Sequence, residues 1–566
     1  MRQIIVTSTG RLTLVAAALC SLACRPDDRS GGRPGDTGGK TPGGTVVISM
    51  GADAEPLIPP YAAQVQTKLI VDQLFDRLAE LGDSLNTVGD HGFVPRVAQR
   101  WDWSRDSLSI TFYLDPRARW HDGVPVRSND VRFTYRIYSD TAAGIDATTQ
   151  IAQIDSVTSP DSLTAVFWFK RRYPEQFFDA TYQMLILPEH LLGAIKLADL
   201  RTSAFGRHPV GDGRFRFSSW SPGASLTMIA DTGNYRGRAM LDRIVMAFSP
   251  TPGAAITKLF TGDADFIEIL HPEEMAEVRR HPELVMLPYA DPTYGFLWFN
   301  LRQGGKRPHP LFGNRPLRRA LAMALDRVSM ARNVFDTLAI VPRGPFPSSS
   351  PVADTTASSL PYDTVAAARI LDSLGWHRGA DGVRRKNGQP LAFAISVPPS
   401  SKSRTQMAVL VQDQLARIGV RVTIDPVELR TLVTRLQKGD FDSALWAWKT
   451  DASMSDLRQM WTTPAERLGT NWGSYENPVF DAAVDSALTS NDPARMHAYF
   501  HRAYTTITDD APAVWLYQPR QVAGIQRRIH TAYLRADSWW AHLADWYVPA
   551  SERIPRDRIG LVDAAP

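Results

Sequence analysis

The sequence predicts a mixed α/β fold, and three observations carry that prediction. Strand-period and helix-period segments alternate from Thr45 onward. The stretch from Leu391 to Asp451 reads as βαβαβ, and a chain of 566 residues that is 44% hydrophobic can bury the cores of several domain-sized units. The formal net charge of +4 is small for this length, and no long Lys/Arg run interrupts the chain. Neither a nucleic-acid groove nor a polybasic membrane patch is expected.

At the N-terminus, Arg2 and Arg11 precede an apolar run from Leu12 to Cys20, followed by Ser21-Leu22-Ala23-Cys24. This is the charged, apolar and small-residue order of a secretory leader, over residues 1–24, and the run is too short to span a bilayer. Both cysteines of the chain, Cys20 and Cys24, fall here, so no disulfide is available downstream. Residues 25–44 are rich in Gly and Pro and almost free of apolar side chains, which predicts a disordered tether. Its r.m.s. reach is about 25 Å. Gly39-Lys40-Thr41 is not a phosphate loop, because Pro34 stands five positions before Gly39 and Pro42 follows instead of a helix.

Thr45 to Met50 reads as a strand, and Leu69, Val71, Leu74 and Leu78 space a helix over Thr67 to Leu81. Next, Leu108, Ile110, Phe112 and Leu114 alternate with polar neighbours as a half-buried strand. Asp115-Pro116 and Asp122-Gly123 supply turns, and Ser128-Asn129-Asp130 offers a cap ahead of Val131, Tyr135 and Tyr138. A helix over Pro252 to Thr261 stops at Gly262 before a short strand around Phe266.

In the second half, Tyr294 to Asn300 reads as a strand, and Asn314 caps a helix with Pro316 in its first turn and Leu317, Ala320, Leu321, Ala324 and Leu325 on its core face. Asp363 to Leu374 is a further helix closed by Gly375. Leu391–Val397, Val420–Ile424 and Phe441–Trp448 are strands separated by helices that end at Gly419 and Gly439. Right-handed crossovers make these strands largely parallel, and open α/β sheets bind ligands outside the carboxyl ends of their strands. Trp448-Lys449-Thr450-Asp451 falls at such an end. A helix from Pro493 to about Thr506 precedes a last strand near Val514-Trp515-Leu516-Tyr517.

Several of these segments resemble the extracellular solute-binding proteins of family 5, the binding components of peptide, oligopeptide and nickel importers. The resemblance rests on Val97-Ala98 with Trp101, Ser104 to Asp106, Thr111-Phe112, and Trp120-His121-Asp122-Gly123-Val124-Pro125 leading to Asp130-Val131. Pro209-Val210-Gly211-Asp212-Gly213-Arg214-Phe215, Asn234-Tyr235-Arg236-Gly237, Leu241-Asp242-Arg243-Ile244, and Leu317 to Leu321 with Ala324 to Arg327 continue it. Departures are Leu114-Asp115-Pro116-Arg117, Arg127-Ser128-Asn129, and Arg214 where the family has Pro. The resemblance covers residues 45 to about 550. It implies a two-lobed periplasmic-binding-protein-like fold of type II, with a hinge, a central cleft and an extra subdomain at about 83–200. Lobe one is expected over 45–290, lobe two over 291–513, and a return to lobe one over 514–566.

The same resemblance implies a peptide-like solute, delivery to the permease subunits of an ABC importer, and a monomer. It also implies lipidation of Cys24 as a membrane anchor, although Ser21 stands where Leu is usual; simple secretion is the alternative. In peptide-binding relatives an Asp shortly after a Trp at the strand end pairs with the ligand's ammonium, which points to Asp451 and Trp448. Relatives often carry a Pro soon after that Asp, whereas this chain has Ala452-Ser453-Met454. From the residues alone, Asp451 equally suits a solvated loop or the cap of a short helix through Ser455 to Trp461. Trp446 and Trp448 share a strand face. Asn471 and Trp472, and Tyr294 and Asn300 near the expected hinge, are further ligand-contact candidates.

No cofactor is expected. His497 and His501 share a helical face, but the zinc-hydrolase Glu after His497 is missing, and surface histidines are the plainer reading. A nickel or metal-chelate cargo stays open as an alternative solute. A secreted hydrolase is the rival from another class; the sequence has no Gly-x-Ser-x-Gly elbow, no His-Glu-x-x-His and no cysteine beyond Cys24 to act as a nucleophile.

Overall fold

The computed structural model describes residues 40–558, apart from Asp146, Pro250, Gly305, Lys306, Pro351, Thr355, Ser358, Asp451 and residues 464–469. The leader, Cys24, most of the tether and Asp451 therefore lie outside the described residues.

One sheet runs through the body of the chain. From one edge to the other its strands are Arg421–Pro426, Ala392–Val397, Ser443–Lys449, Thr293–Phe299, Ala513–Gln526, Phe266–Ile267, Thr45–Met50, Arg243–Phe248, Ser225–Ala230 and Phe215–Ser221. Ala392–Val397 is parallel to both its neighbours, as right-handed βαβ crossovers require. Thr45–Met50 is likewise parallel to Arg243–Phe248 and Phe266–Ile267. The carboxyl ends of two parallel groups, one in each half of the chain, thus supply the edges where a ligand can sit.

Two chain crossings join the halves. One lies between Ala290 and Thr293, where Leu284–Ala290 gives way to Thr293–Phe299. The other lies inside Ala513–Gln526: its first residues, Ala513 to Tyr517, pair with Thr293–Phe299, and Arg520 to Gln526 pair with Leu284–Ala290. The sequence expectation put this return at Val514. The crossing falls instead at Gln518–Pro519, because an unbroken strand serves both halves and gives no local signal where it changes partner. Gln518 braces both crossings: its Nε2 donates to the Asp291 carbonyl at 3.3 Å, and its Oε1 accepts from Ser348 N and Oγ at 2.8 and 2.9 Å.

The cores follow the same division. Residues of the first half and the C-terminal segment, including Ile48, Leu69, Phe112, Phe266, Trp539 and Trp546, pack as one cluster. The second half buries two clusters, one on each face of its sheet: Leu297, Phe299 and Leu445 on one, and Phe296, Trp298 and Trp461 on the other. A second sheet, Ala98–Trp103, Ser109–Leu114, Thr164–Phe169 and Ile154–Asp161 in spatial order, lies in the region read as the extra subdomain. Its Ile110, Phe112 and Phe167 join the first-half cluster, so it shares that core.

Three local expectations are corrected. The first helix spans Val65–Leu74 and stops at Phe75, well before Leu81, because the chain turns into a short strand at Ala79–Glu80. The helix Ser128–Ser139 starts one residue earlier than Ser128 would cap it; Arg127 is the cap, and its N–H donates to Asp130 Oδ2 at 2.8 Å. The end of the tether is built in: Gly43 and Gly44 are buried, with Gly43 N donating to Met240 O at 2.8 Å and Gly44 N to Asp242 Oδ2 at 3.0 Å. Their φ values of +146° and +96° are the reason for glycine here, where composition alone read disorder.

The segment Trp120 to Pro125 is scaffold. Trp120 is 1% exposed, and its N–H closes a turn on Val124 O at 2.8 Å. His121 grips the Gly211-Asp212-Gly213 turn: its backbone N–H donates to Gly211 O at 2.7 Å, its Nδ1 accepts from Gly211 N at 3.2 Å, and its Nε2 lies 2.9 Å from Gly213 O. That pattern requires the neutral Nε2–H tautomer, and burial lowers the pKa of the ring accordingly. A Cβ on Gly211 would meet the Leu74 carbonyl at 1.8 Å, which explains the glycine.

Candidate functional site

Between the halves, a narrow opening is lined by Leu85 and Asp537 from the first-half side, Pro292 from a crossing, and Pro347, Ser349, Ser350, Thr450 and Ala452 from the second half. It lies at the carboxyl end of Ser443–Lys449, where open α/β sheets take ligands. Thr450 and Ala452 flank Asp451 in sequence, and Asp451 itself is outside the described residues. Thr450 ties the strand end to the crossing, with its N and Oγ1 donating to Pro292 O at 3.0 and 3.1 Å. A larger cavity lies among residues of the first half and the C-terminal segment, but ion pairs fill its walls: Arg77 with Asp72 at 2.9 Å, Arg236 with Asp76 at 2.6 Å, and Arg214 with Asp545 at 2.6 Å. Of these two, the smaller opening draws on both halves.

The aromatic side of the strand end is a packed cluster. Trp448 stands opposite Tyr294 and Trp446 opposite Phe296 in the antiparallel register, so all four side chains share one face. Trp446, Trp448 and Trp472 touch mutually, with ring centroids 5.7, 5.3 and 5.7 Å apart, and Trp298 lies 6.1 Å from Trp448. Arg404, from the helix Lys402–Arg417, sits over the Trp446 ring at 5.5 Å. Trp446 is buried, while Trp448 and Trp472 are half-buried.

The other candidates point elsewhere. Asn300 is fully buried: its Nδ2 donates to Gly439 O at 3.0 Å and Phe441 O at 2.8 Å, and its Oδ1 accepts from Arg302 N at 3.2 Å. Asn471, also fully buried, donates to Thr462 O at 3.1 Å and Tyr475 O at 2.8 Å and accepts from Tyr475 N at 3.2 Å. Both carboxamides are spent on backbone groups, so a ligand contact from either would leave buried partners unpaired. Tyr294 is 0% exposed and accepts from Trp461 Nε1 at 3.0 Å; burial raises its pKa. These three residues organise lobe interiors, and polar groups buried for structure and for binding look alike in one dimension. His501 pairs with Asp354 at 2.5 Å instead of converging with His497.

The sequence reading missed Asp537, Leu85, Ser349 and Ser350, which come from loops without periodicity. Asp537 is held in place by Arg535 at 2.7 Å and Tyr182 Oη at 2.9 Å. It also missed Glu268, directly after the strand Phe266–Ile267. Burial pushes the Glu268 carboxyl up, and the Lys449 ammonium from the facing strand end opposes that shift. Among the described residues, no three His, Cys, Asp or Glu side chains gather to hold a metal ion.

Comparison with known proteins agrees with this architecture. The oligopeptide-binding protein AppA of Bacillus subtilis is 24% identical over 545 residues, 93% of this chain and 97% of that protein. The di/tripeptide-binding protein 2 of Pseudomonas aeruginosa is 26% identical over 471 residues, 79% of this chain and 84% of that protein. Among solved structures, Bacillus subtilis AppA in complex with a nonapeptide superposes with a TM-score of 0.67 at 23% identity, covering 90% of this chain and 99% of that one. The substrate-binding protein CtaP of Listeria monocytogenes gives 0.77 at 20% identity, over 90% and 100%. The family pattern of bacterial extracellular solute-binding proteins, family 5, matches residues 92–467. This chain belongs to that family.

Proposed function

We propose that this protein captures peptides outside the cytoplasm and delivers them to an ABC importer, performing no chemistry on them. The observation that carries the reading is the opening lined from both halves at the end of Ser443–Lys449. The peptide-binding names of relatives aligned along nearly the whole chain support it. Asp451 is the proposed partner of the peptide ammonium, since a carboxylate in a closing cleft needs a cation, and that pairing fixes the peptide's direction. Trp448 and Trp472 are its proposed aromatic wall.

The protein is proposed to work as a monomer, anchored through a lipid on Cys24. The lobes, about 45–290 with the C-terminal chain beyond the Gln518–Pro519 crossing, and about 291–517, close by hinge motion. Micromolar affinity, about −8 kcal/mol, suffices for capture while permitting release. Native mass spectrometry after incubation with a random peptide library tests the reading: intact bound peptides are expected, and sustained cleavage would overturn it. Calorimetry with tetra-alanine on Asp451→Ala then tests the anchor. Affinity kept within about threefold, ~0.65 kcal/mol, would rule out the ammonium role.

A further inference from the structure

Just beyond the strand end, the chain makes a contact across the cleft that the peptide reading does not use. Glu175 precedes the helix Gln176–Thr181, whose Phe177 and Phe178 belong to the first-half core. Its carboxylate accepts from Ser453 Oγ through Oε2 and from Met454 N through Oε1, both at 2.9 Å. Glu175 and Ser453 are each 7% exposed, and Met454 is 1% exposed in the second-half core. Hydrogen bonds to a buried carboxylate are charge-assisted, and losing one partner leaves a desolvated charge.

The surroundings make this a seam. Ala452, from the second half, packs into the first-half cluster, and Val88, from the first half, packs against the second-half aromatic cluster. Gly89 N donates to Pro174 O at 2.9 Å, which ties the Val88 loop to the residue before Glu175. Ser453 itself is braced on the second-half side, with its Oγ 2.8 Å from Ser455 Oγ and accepting from Ser455 N at 3.1 Å. A proline in this segment would remove donors that the contact uses: proline has neither the hydroxyl of Ser453 nor the N–H of Met454. The departure Ala452-Ser453-Met454 therefore has a physical consequence in this chain.

We propose that Glu175 is a positioning residue that clamps the 452–454 segment to lobe one and so sets how firmly the cleft closes. The clamp deepens the peptide reading and rests on it only for its effect on affinity; its effect on closure is independent of the ligand. Since both bonds cross from one half to the other, they exist only when the halves are together. Their free energy enters the closing equilibrium directly, and ligand affinity follows the population of the closed state.

The test uses the full chain, as wild type, Glu175→Ala and Ser453→Ala. Small-angle X-ray scattering without peptide reads closure, and calorimetry with tetra-alanine reads affinity. Both variants are expected to raise the radius of gyration. Tetra-alanine affinity should fall about tenfold in Glu175→Ala and about threefold in Ser453→Ala. Should Glu175→Ala fail to fold, Ser453→Ala, which deletes one hydroxyl at the seam, carries the test by itself. An unchanged radius of gyration in the variants overturns the clamp, whatever the peptide does. An increase in radius with no peptide bound by any of the three proteins leaves the clamp standing and counts against the peptide reading. Equal tetra-alanine affinity in wild type and variants overturns the clamp's effect on affinity.

Discussion

Two turns of this protein, one in each half, teach opposite lessons about conspicuous residues. The Trp120–Pro125 hairpin in the first half is the strongest motif in the sequence, and its polar groups are spent inside that half: His121 on Gly211 and Gly213, Trp120 on its own turn. The Thr450–Met454 segment in the second half has no comparable motif, yet its donors leave their own half. Thr450 reaches the crossing at Pro292, and Ser453 and Met454 reach Glu175. A turn closed on itself fixes a fold, whereas a turn bonded across a gap reports on whether the gap is open.

The largest effect expected from this contrast is on stability. Trp120→Ala should cost about 3–5 kcal/mol in urea unfolding, because it empties a buried indole site, while the tetra-alanine affinity of the folded fraction stays at the wild-type value. An affinity loss in that fraction would break the contrast between scaffold and site. Asn300→Ala should cost about 1–3 kcal/mol of stability, since it leaves the Gly439 and Phe441 carbonyls without their buried donor, again with unchanged affinity. Asp451→Ala should do the reverse: an unfolding midpoint near wild type, and affinity weakened about tenfold, ~1.4 kcal/mol. Calorimetry beside urea titration separates the two classes.

The smallest expected effect is a pH dependence. The His121 pKa is lowered by burial, so in the acid range the unfolded chain binds a proton that the folded protein excludes. The contribution of this residue is fully present above the ordinary histidine value of 6.5 and is lost as pH falls through the lower folded value. The urea midpoint should decline as pH falls from 6.5 to that lower folded value, and His121→Gln should flatten the part of the decline that this ring causes. An identical acid slope in the variant would show that the ring does not sense the proton through its turn.

Much of the architecture was legible before any coordinates. The alternation of Ile110, Phe112 and Leu114 gave a strand, Asn314 capped a helix as expected, a helix formed over Thr364–Ser373 within the expected Asp363–Leu374, and Gly419 and Gly439 ended helices ahead of parallel strands. These succeed because strand period, capping and helix stops are local: the residues that signal them are those that make the bonds. The site was legible only in part. The carboxyl end of Ser443–Lys449 does lie beside the opening, yet Asn300, Asn471 and Tyr294 proved to be interior braces, and Asp537 and Glu268 went unnoticed. A buried amide bonded to backbone and one turned to a cleft have the same sequence neighbours.

By itself, then, the sequence determined the family and the βαβαβ order of the second half, because each depends on short-range pattern. Tertiary structure alone decided where the chain crosses between halves, since Ala513–Gln526 is one uninterrupted strand with two sets of partners. It alone decided that Gly43 and Gly44 are ordered. It also paired Glu175 with Ser453 and Met454 across 278 and 279 positions of sequence. Contacts that distant are set by how packed lobes meet, and local propensity carries no record of them.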